Sequence, residues 1–96
     1  MLHLINKSPF ESMSLEDCLK YANKGASILL YEDGIYAAMP GTAVSERMAG
    51  VTADYKVYAL KEDMMLRGVD KVMDGVTEID YAGFVGLVEE SKTASW

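Results

Sequence analysis

The sequence predicts a small α/β domain with a mostly parallel sheet of about four strands flanked by helices. Short apolar runs that fit strands alternate along the chain with segments of helical periodicity, and this alternation is typical of parallel sheets. The chain has 96 residues, of which 50% are hydrophobic and 25% are charged. That length supports one hydrophobic core, so we expect a single domain over residues 1–96.

Two apolar runs predict the first two strands, Leu2 to Asn6 and Ala26 to Tyr31. Asp33, with the glycine that follows it, permits two interpretations of the next segment: a hairpin turn, or a short helix capped by Asp33. Ala37 and Ala38 favour the helix, because alanine is a strong helix former.

Between these strands the sequence predicts an amphipathic helix. Ser14 is the expected N-cap, two acidic residues follow it in the first turn, and Gly25 is expected to end the helix. Four residues at i, i+3, i+4 and i+7 share the apolar face of this helix: Leu15, Cys18, Leu19 and Ala22.

The second half of the chain continues the alternation. Arg67 is expected to close a helix that Glu62 and Asp63 open, directly before Gly68. A sheet this narrow gains from a partner that covers an edge or a face, so we expect the protein to assemble with others. The other expected elements are a short helical piece over Ala43 to Ala49, a strand over Lys56 to Leu60, a weak strand over Glu78 to Asp80 and a last helix over Tyr81 to Glu89.

Charge and composition exclude several classes of function. Nine Lys and Arg against fifteen Asp and Glu give a net charge of -6. Such a surface repels phosphate backbones and anionic lipids, so we expect neither direct nucleic-acid binding nor membrane binding. No apolar run approaches the roughly 20 residues that span a bilayer, and the first residues lack the features of a signal peptide. A single cysteine suits a reducing compartment, so we expect a cytoplasmic protein.

The sequence contains no complete active-site or cofactor motif. One cysteine and one histidine cannot supply a zinc site, and the eight glycines form no phosphate-binding loop, so we expect no cofactor. Cys18 is the only soft nucleophile. Near a helix N-terminus it would have a lowered pKa and would be competent for sulfur transfer, whereas on an apolar helix face it would be a packing residue. Both interpretations stay open.

Three other residues are weaker candidates. His3 in the first strand is interpreted as a hydrogen-bonded structural residue, although a Cys–His pair with Cys18 is conceivable. Asp33 stands at the carboxyl end of the second strand, where open parallel sheets place ligands, and its alternative role is the helix cap. Trp96 is expected to dock on its own domain or on a neighbouring subunit, because an indole ring is costly to leave in water.

Several segments carry a resemblance to a known family. They are Met1–His3, Asn6–Phe10, Ser14–Lys20, Gly25–Leu30, Asp33–Ala38, Val57–Leu60, Arg67–Val69, Ile79–Val85 and Trp96. Their order and spacing resemble the DsrH/TusB family, the smallest subunits of the DsrEFH and TusBCD sulfur-relay complexes. The segment from Lys7 to Glu11 and Cys18 resemble the DsrH branch of sulfur oxidisers more than the TusB branch.

The resemblance implies a DsrEFH-type fold and a cytoplasmic hetero-hexamer with DsrE/TusD-like and DsrF/TusC-like sibling subunits. Such complexes pass sulfur as a cysteine persulfide between small carrier proteins. The principal persulfide cysteine belongs to a larger sibling, on the loop after the strand that precedes an Arg-Gly-Val segment. Leu60 to Asp63 occupies that place here and contains no cysteine. The resemblance therefore implies an accessory subunit, with Cys18 as a candidate secondary persulfide carrier.

These observations leave alternative functions from different classes. The leading hypothesis is an accessory subunit of a DsrEFH-type relay in sulfur oxidation. In the TusB-type alternative the relay feeds 2-thiolation of the tRNA wobble uridine, and tRNA is reached only through downstream proteins. A stand-alone sulfurtransferase that uses Cys18 is the hypothesis from the enzyme class. A scaffold in which Cys18 only packs is the structural one.

Overall fold

The computed structural model describes all 96 residues. It contains five strands, four α-helices and one 3-10 helix. In chain order these are β1 (Leu2–Ile5), α1 (Ser14–Tyr21), β2 (Ser27–Leu30), the 3-10 helix (Glu32–Ala38), α2 (Ser45–Asp54), β3 (Lys56–Leu60), α3 (Lys61–Leu66), β4 (Val76–Ile79), α4 (Tyr81–Glu90) and β5 (Thr93–Ser95).

All five strands form one parallel sheet in the order β4-β3-β2-β1-β5. The predicted α/β class with a parallel sheet is therefore confirmed, and the sheet has one strand more than expected. The additional strand is β5, which pairs with β1 from Leu2 opposite Thr93 to Leu4 opposite Ser95. The three small residues of β5 carry no recognisable strand pattern. This strand forms because its backbone can hydrogen-bond to the free edge of β1.

The chain crosses the sheet in one direction from β1 to β4 and then returns to the other edge for β5. Crossovers between parallel strands are right-handed, so the reversal places α4 on the face opposite the preceding helices. The main core lies on the face that α1, the 3-10 helix, α2 and α3 cover. It includes Ile5, Leu15, Cys18, Ile28, Leu30, Ile35, Met48, Val51, Val57 and Met64.

The opposite face of the sheet has its own buried side chains. Leu2, Leu29 and Leu60 alternate with the core-facing strand residues, so they point to the face on which α4 lies. None of the residues of α4 itself is buried. One face of the sheet is therefore thickly covered, and the other carries a single shallow helix.

Two local predictions in the first helix are wrong. Met13, not Ser14, holds the N-cap position, and Ser14 begins the helix with its hydroxyl 2.9 Å from the hydroxyl of Ser12. The helix ends at Tyr21, and Gly25 lies in the following turn with φ +88°. The shorter helix still carries the predicted apolar face, because Leu15 and Cys18 are buried.

The segment after β2 is helical, as the alanines indicate, but it is a 3-10 helix that Asp33 does not cap. Tyr31 holds the N-cap position, and the Asp33 carboxylate is paired instead with Arg67. The next helix starts at Ser45 rather than at Ala43 and continues to Asp54. The strand over Lys56–Leu60 and the end of α3 next to Arg67 and Gly68 match the prediction.

Gly34 is required where the 3-10 helix passes the end of β1. This glycine is buried, and an added Cβ would overlap the carbonyl oxygen of Ile5. The same oxygen accepts a hydrogen bond from the Tyr31 N–H at 3.1 Å. The backbone therefore cannot move away from Gly34 without loss of the hydrogen bond that joins β1 to the end of β2.

We expect Gly34→Ala to lower the free energy of unfolding by about 1–3 kcal/mol, because the methyl group meets backbone rather than a mobile side chain. Urea unfolding followed by circular dichroism measures this. The matched control is Gly50→Ala in α2, where an added Cβ has no neighbour within 4 Å. That control should gain about 0.5–1 kcal/mol from helix propensity alone. Equal stability of Gly34→Ala and the wild type would contradict the prediction.

Candidate functional site

Cys18, the only thiol, lies inside the core. Its exposed fraction is 0%, and it packs on the face of α1 that meets the sheet, in the same cluster as Leu15. Burial raises the pKa of Cys18 to about 11. At pH 7 roughly one thiol in ten thousand is therefore ionised, and the thiolate is the reactive form. The arrangement suits a packing residue, and a role for Cys18 as persulfide carrier stays a prediction that needs α1 to open.

His3 is paired with Trp96 rather than with Cys18. The indole Nε1–H of Trp96 donates a hydrogen bond to Nδ1 of His3 at 3.1 Å, and His3 is 4% exposed. Because Nδ1 accepts, the neutral ring carries its proton on Nε2. Burial, and then the positive amino group of Met1, lower the pKa of His3. The prediction that His3 is hydrogen-bonded is confirmed, and its structural role stays a prediction.

Trp96 docks on its own chain. Its backbone N–H donates to the carbonyl oxygen of Leu4 at 3.0 Å, which extends the ladder between β1 and β5. Its ring centroid lies 5.5 Å from that of Tyr21. An open cavity of about 540 Å³ adjoins this pair, lined by Met1, His3, Tyr21, Asn23, Gly25, Ala26, Ala94 and Trp96. Cys18 does not line this cavity.

Asp33 stands at the carboxyl end of β2, as predicted, and belongs to a network of ion pairs and hydrogen bonds there. Nε of Arg67 lies 3.0 Å from Oδ1 of Asp33, and Nη1 of Arg67 lies 3.7 Å from Oδ1 of Asp63. Oδ2 of Asp63 accepts a hydrogen bond of 2.7 Å from the N–H of Glu32. Glu32 has φ +48°, a left-handed conformation that side chains other than glycine rarely adopt.

This network occupies the place where open parallel sheets bind ligands. Its carboxylates are directed at Arg67, whose guanidinium is largely shielded from solvent. Sequence reasoning identified Asp33 and Arg67 separately and missed their pairing, since their separation of 34 positions carries no local signal. No group of three or more His, Cys, Asp or Glu side chains lies close enough together to hold a metal ion.

The overall arrangement is that of a small parallel α/β protein whose single thiol is buried. A solved protein of unknown function from Methanobacterium thermoautotrophicum shares this fold with a TM-score of 0.75 at 12% identity, over 99% of this chain and 96% of that one. A solved protein from Thermotoga maritima shares it with a TM-score of 0.63 at 23% identity, over 95% and 94%. No helix in the structure has the length and apolar character needed to cross a membrane.

The family follows from sequence comparison. The family model described as DsrH like protein matches residues 7–94. The chain is 35% identical over 98 aligned positions to Protein TusB of Shigella flexneri, with all of both chains covered. The same identity and coverage hold for Protein TusB of Escherichia coli O81 (strain ED1a). The chain therefore belongs to the DsrH/TusB family of sulfur-relay proteins, as the resemblance indicated.

Native Cys18 should react with iodoacetamide at least about 100-fold more slowly than an exposed thiol, because burial lowers both its access and its thiolate fraction. The rate is measured by mass spectrometry at pH 7 without denaturant. Alkylation at the rate of a free thiol would contradict the packing role.

Cys18→Ser should lower the free energy of unfolding by about 1–3 kcal/mol if its hydroxyl finds no partner. Cys18→Ala, which adds no polar group, is the control.

The contact between His3 and Trp96 should weaken in mild acid. The folded-state pKa of His3 lies below its ordinary value of 6.5. The contribution of neutral His3 to the free energy of unfolding is therefore complete above pH 6.5. That contribution is lost as the pH falls through the folded pKa. A protonated ring has no lone pair on Nδ1, so the fluorescence of Trp96 should change over the same range.

His3→Asn supplies the control, because its amide oxygen can accept from the indole and does not titrate. The free energy of unfolding and the fluorescence of this variant should change less between pH 7.5 and pH 5 than those of the wild type. Identical pH profiles for the two proteins would rule out His3 as the titrating group.

Proposed function

We propose that this protein is an accessory subunit of a cytoplasmic sulfur-relay complex that supplies sulfur for 2-thiolation of the tRNA wobble uridine. The observation that carries the proposal is the 35% identity to TusB proteins along the whole chain. In this proposal the chain assembles with TusC-like and TusD-like siblings as a hetero-hexamer, and sulfur passes through the complex to small carrier proteins as a persulfide.

The site geometry supports an accessory role. A persulfide relay needs a thiol that a donor and an acceptor can both reach as thiolate, and Cys18 is buried with a raised pKa. The resemblance implies that the relay cysteine of a larger sibling lies on the loop after the third strand. In this chain α3 starts directly after β3, and the Asp63 carboxylate there contacts Arg67 and accepts a hydrogen bond from the Glu32 N–H. The transferring thiol is therefore assigned to a sibling subunit.

The charge supports an indirect relation to tRNA. A net charge of -6 opposes contact with the phosphate backbone. The proposed subunit therefore acts on its protein partners, and the tRNA is bound by a protein further along the relay.

A DsrH-type role in sulfur oxidation is the second candidate, and it was the leading hypothesis from the sequence. Its support is the family model, which is described as DsrH like, together with the presence of Cys18. The full-length TusB matches favour thiolation over this role. The stand-alone sulfurtransferase has the least support, because its only candidate nucleophile is inaccessible in the folded protein.

Deletion of the gene in its own organism separates these functions. We expect the 2-thiouridine content of tRNA, measured by nucleoside mass spectrometry, to fall to near background and to be restored by the wild-type gene. Cys18→Ala should restore it as well, since the proposed role does not use this thiol. Unchanged thiolation with lost sulfur oxidation would favour the DsrH-type role. Unchanged values of both would refute a relay function.

A further inference from the structure

The open cavity beside His3 and Trp96 has the size and the lining of a small-molecule site. Its volume of about 540 Å³ lies within the range of roughly 300–1,000 Å³ that is common for ligand pockets. Five of the eight lining residues are hydrophobic, and none is Asp, Glu, Lys or Arg. A lining of this kind favours a neutral and largely apolar molecule over an ion, because an ion would lose its hydration without gaining a charged partner.

The cavity exists because α1 ends before it covers the beginning of the sheet. His3 pairs with Ala94 in the register of β1 and β5. Alternation along β1 places His3 on the same face as Ile5, which packs in the core beneath α1. The helix ends at Tyr21. Beyond that end Ala26 and Ala94 line the space and are too small to fill it, so the face above the first residues of β1 and β2 stays open.

His3 presents one unused hydrogen-bond donor to this cavity. Its Nδ1 accepts from the Trp96 indole, which leaves the proton of the neutral ring on Nε2. Nε2 donates to no acceptor in the chain, although His3 is only 4% exposed. Every fully enclosed side-chain nitrogen and oxygen has a hydrogen-bond partner, so Nε2 must reach open space, and the open space that His3 lines is this cavity. A ligand that displaces water from the cavity must therefore supply an acceptor, since an unpaired buried donor is costly.

Aromatic rings line the cavity next to this donor. The ring centroids of Tyr21 and Trp96 lie 5.5 Å apart with 36° between the ring planes, and those of His3 and Trp96 lie 6.1 Å apart with 42°. Tilted rings at these distances offer faces and edges against which a flat π system can pack. Tyr21 is 76% exposed, so its contact with Trp96 leaves most of its surface free to contact a ligand.

We propose that this cavity is a binding site for a small, neutral, planar heteroaromatic molecule that carries a hydrogen-bond acceptor. In the bound state the acceptor receives the Nε2–H of His3, and the flat ring packs against Tyr21 and Trp96. The site is separate from the proposed relay function, because Cys18 does not line the cavity.

The test is a titration of the untagged full chain at pH 7.5, because Met1 and Trp96 both line the cavity and a tag on either would disturb it. Isoquinoline, whose ring nitrogen accepts a hydrogen bond, is the probe. Indole, a flat bicyclic molecule of similar size whose nitrogen only donates, is the matched control probe. Trp96 is the only tryptophan, so its indole N–H gives a single signal in proton–nitrogen correlation spectra of the isotope-labelled chain.

We expect the Trp96 indole signal and the Ala26 amide signal to shift saturably with isoquinoline. A probe of this size should bind with a dissociation constant on the order of 1 mM. Indole should bind at least about fivefold more weakly, because it leaves the Nε2–H of His3 without an acceptor.

Two substitutions with a matched control locate the site. Ala94→Leu fills the cavity and should weaken isoquinoline binding at least about tenfold. Ser95→Leu is the control, because it places the same side chain on the next residue of β5, on the other side of the sheet and outside the cavity. It should bind as the wild type does. His3→Asn keeps an acceptor for the Trp96 indole but removes Nε2, so it should abolish the preference for isoquinoline over indole. Circular dichroism verifies that all three variants are folded.

The outcomes decide the proposal. A preference for isoquinoline that Ala94→Leu removes and Ser95→Leu retains would support it. The absence of saturable shifts at concentrations tenfold above the expected dissociation constant would overturn it. Equal binding of the two probes by the wild type, or undiminished binding by Ala94→Leu, would overturn it as well. The relay function stands or falls separately, because the thiolation measurement does not depend on this cavity.

Discussion

The reversal of chain direction between β4 and β5 determines most of what is distinctive in this molecule. Four strands advance across the sheet, so their right-handed crossovers place the preceding helices together on one face. The fifth strand returns to the far edge beside β1, and α4 must cross the opposite face alone. The same return brings Trp96 next to His3, so the two ends of the chain are held by one short strand and one side-chain hydrogen bond.

Local sequence signals predicted the elements whose own residues carry a pattern. The strand Lys56–Leu60 has an apolar pattern, and α4 has a run of apolar residues that are compatible with a helix. The structure departs from prediction where a distant partner decides. β5 depends on β1 for its hydrogen bonds. The Asp33 carboxylate does not cap the helix, because it is paired with Arg67, which lies 34 residues away along the chain. No spacing rule within one segment reports such pairings.

The chemistry at Cys18 was open in the sequence because two physical effects compete there. A helix N-terminus favours a nearby thiolate by about 0.3–1 kcal/mol, and the effect decays within the first turn. Burial acts in the opposite direction, and a pKa of about 11 corresponds to a penalty on the thiolate of roughly 2–3 kcal/mol. Desolvation is the stronger of the two effects, so position on the helix does not make this thiol reactive. Only the tertiary packing could supply that answer.

The described side chains supply packing and ion pairs rather than a reactive thiol. The Arg67 network fixes the edge where open parallel sheets place ligands, and Cys18 contributes packing to the thickly covered face. The apolar side chains left in water include those of α4, the one helix that the chain reversal separates from the rest. Val85 and Val88 on that helix leave apolar surface exposed to water. A narrow sheet with one thinly covered face gains from a partner, as the sequence also led us to expect.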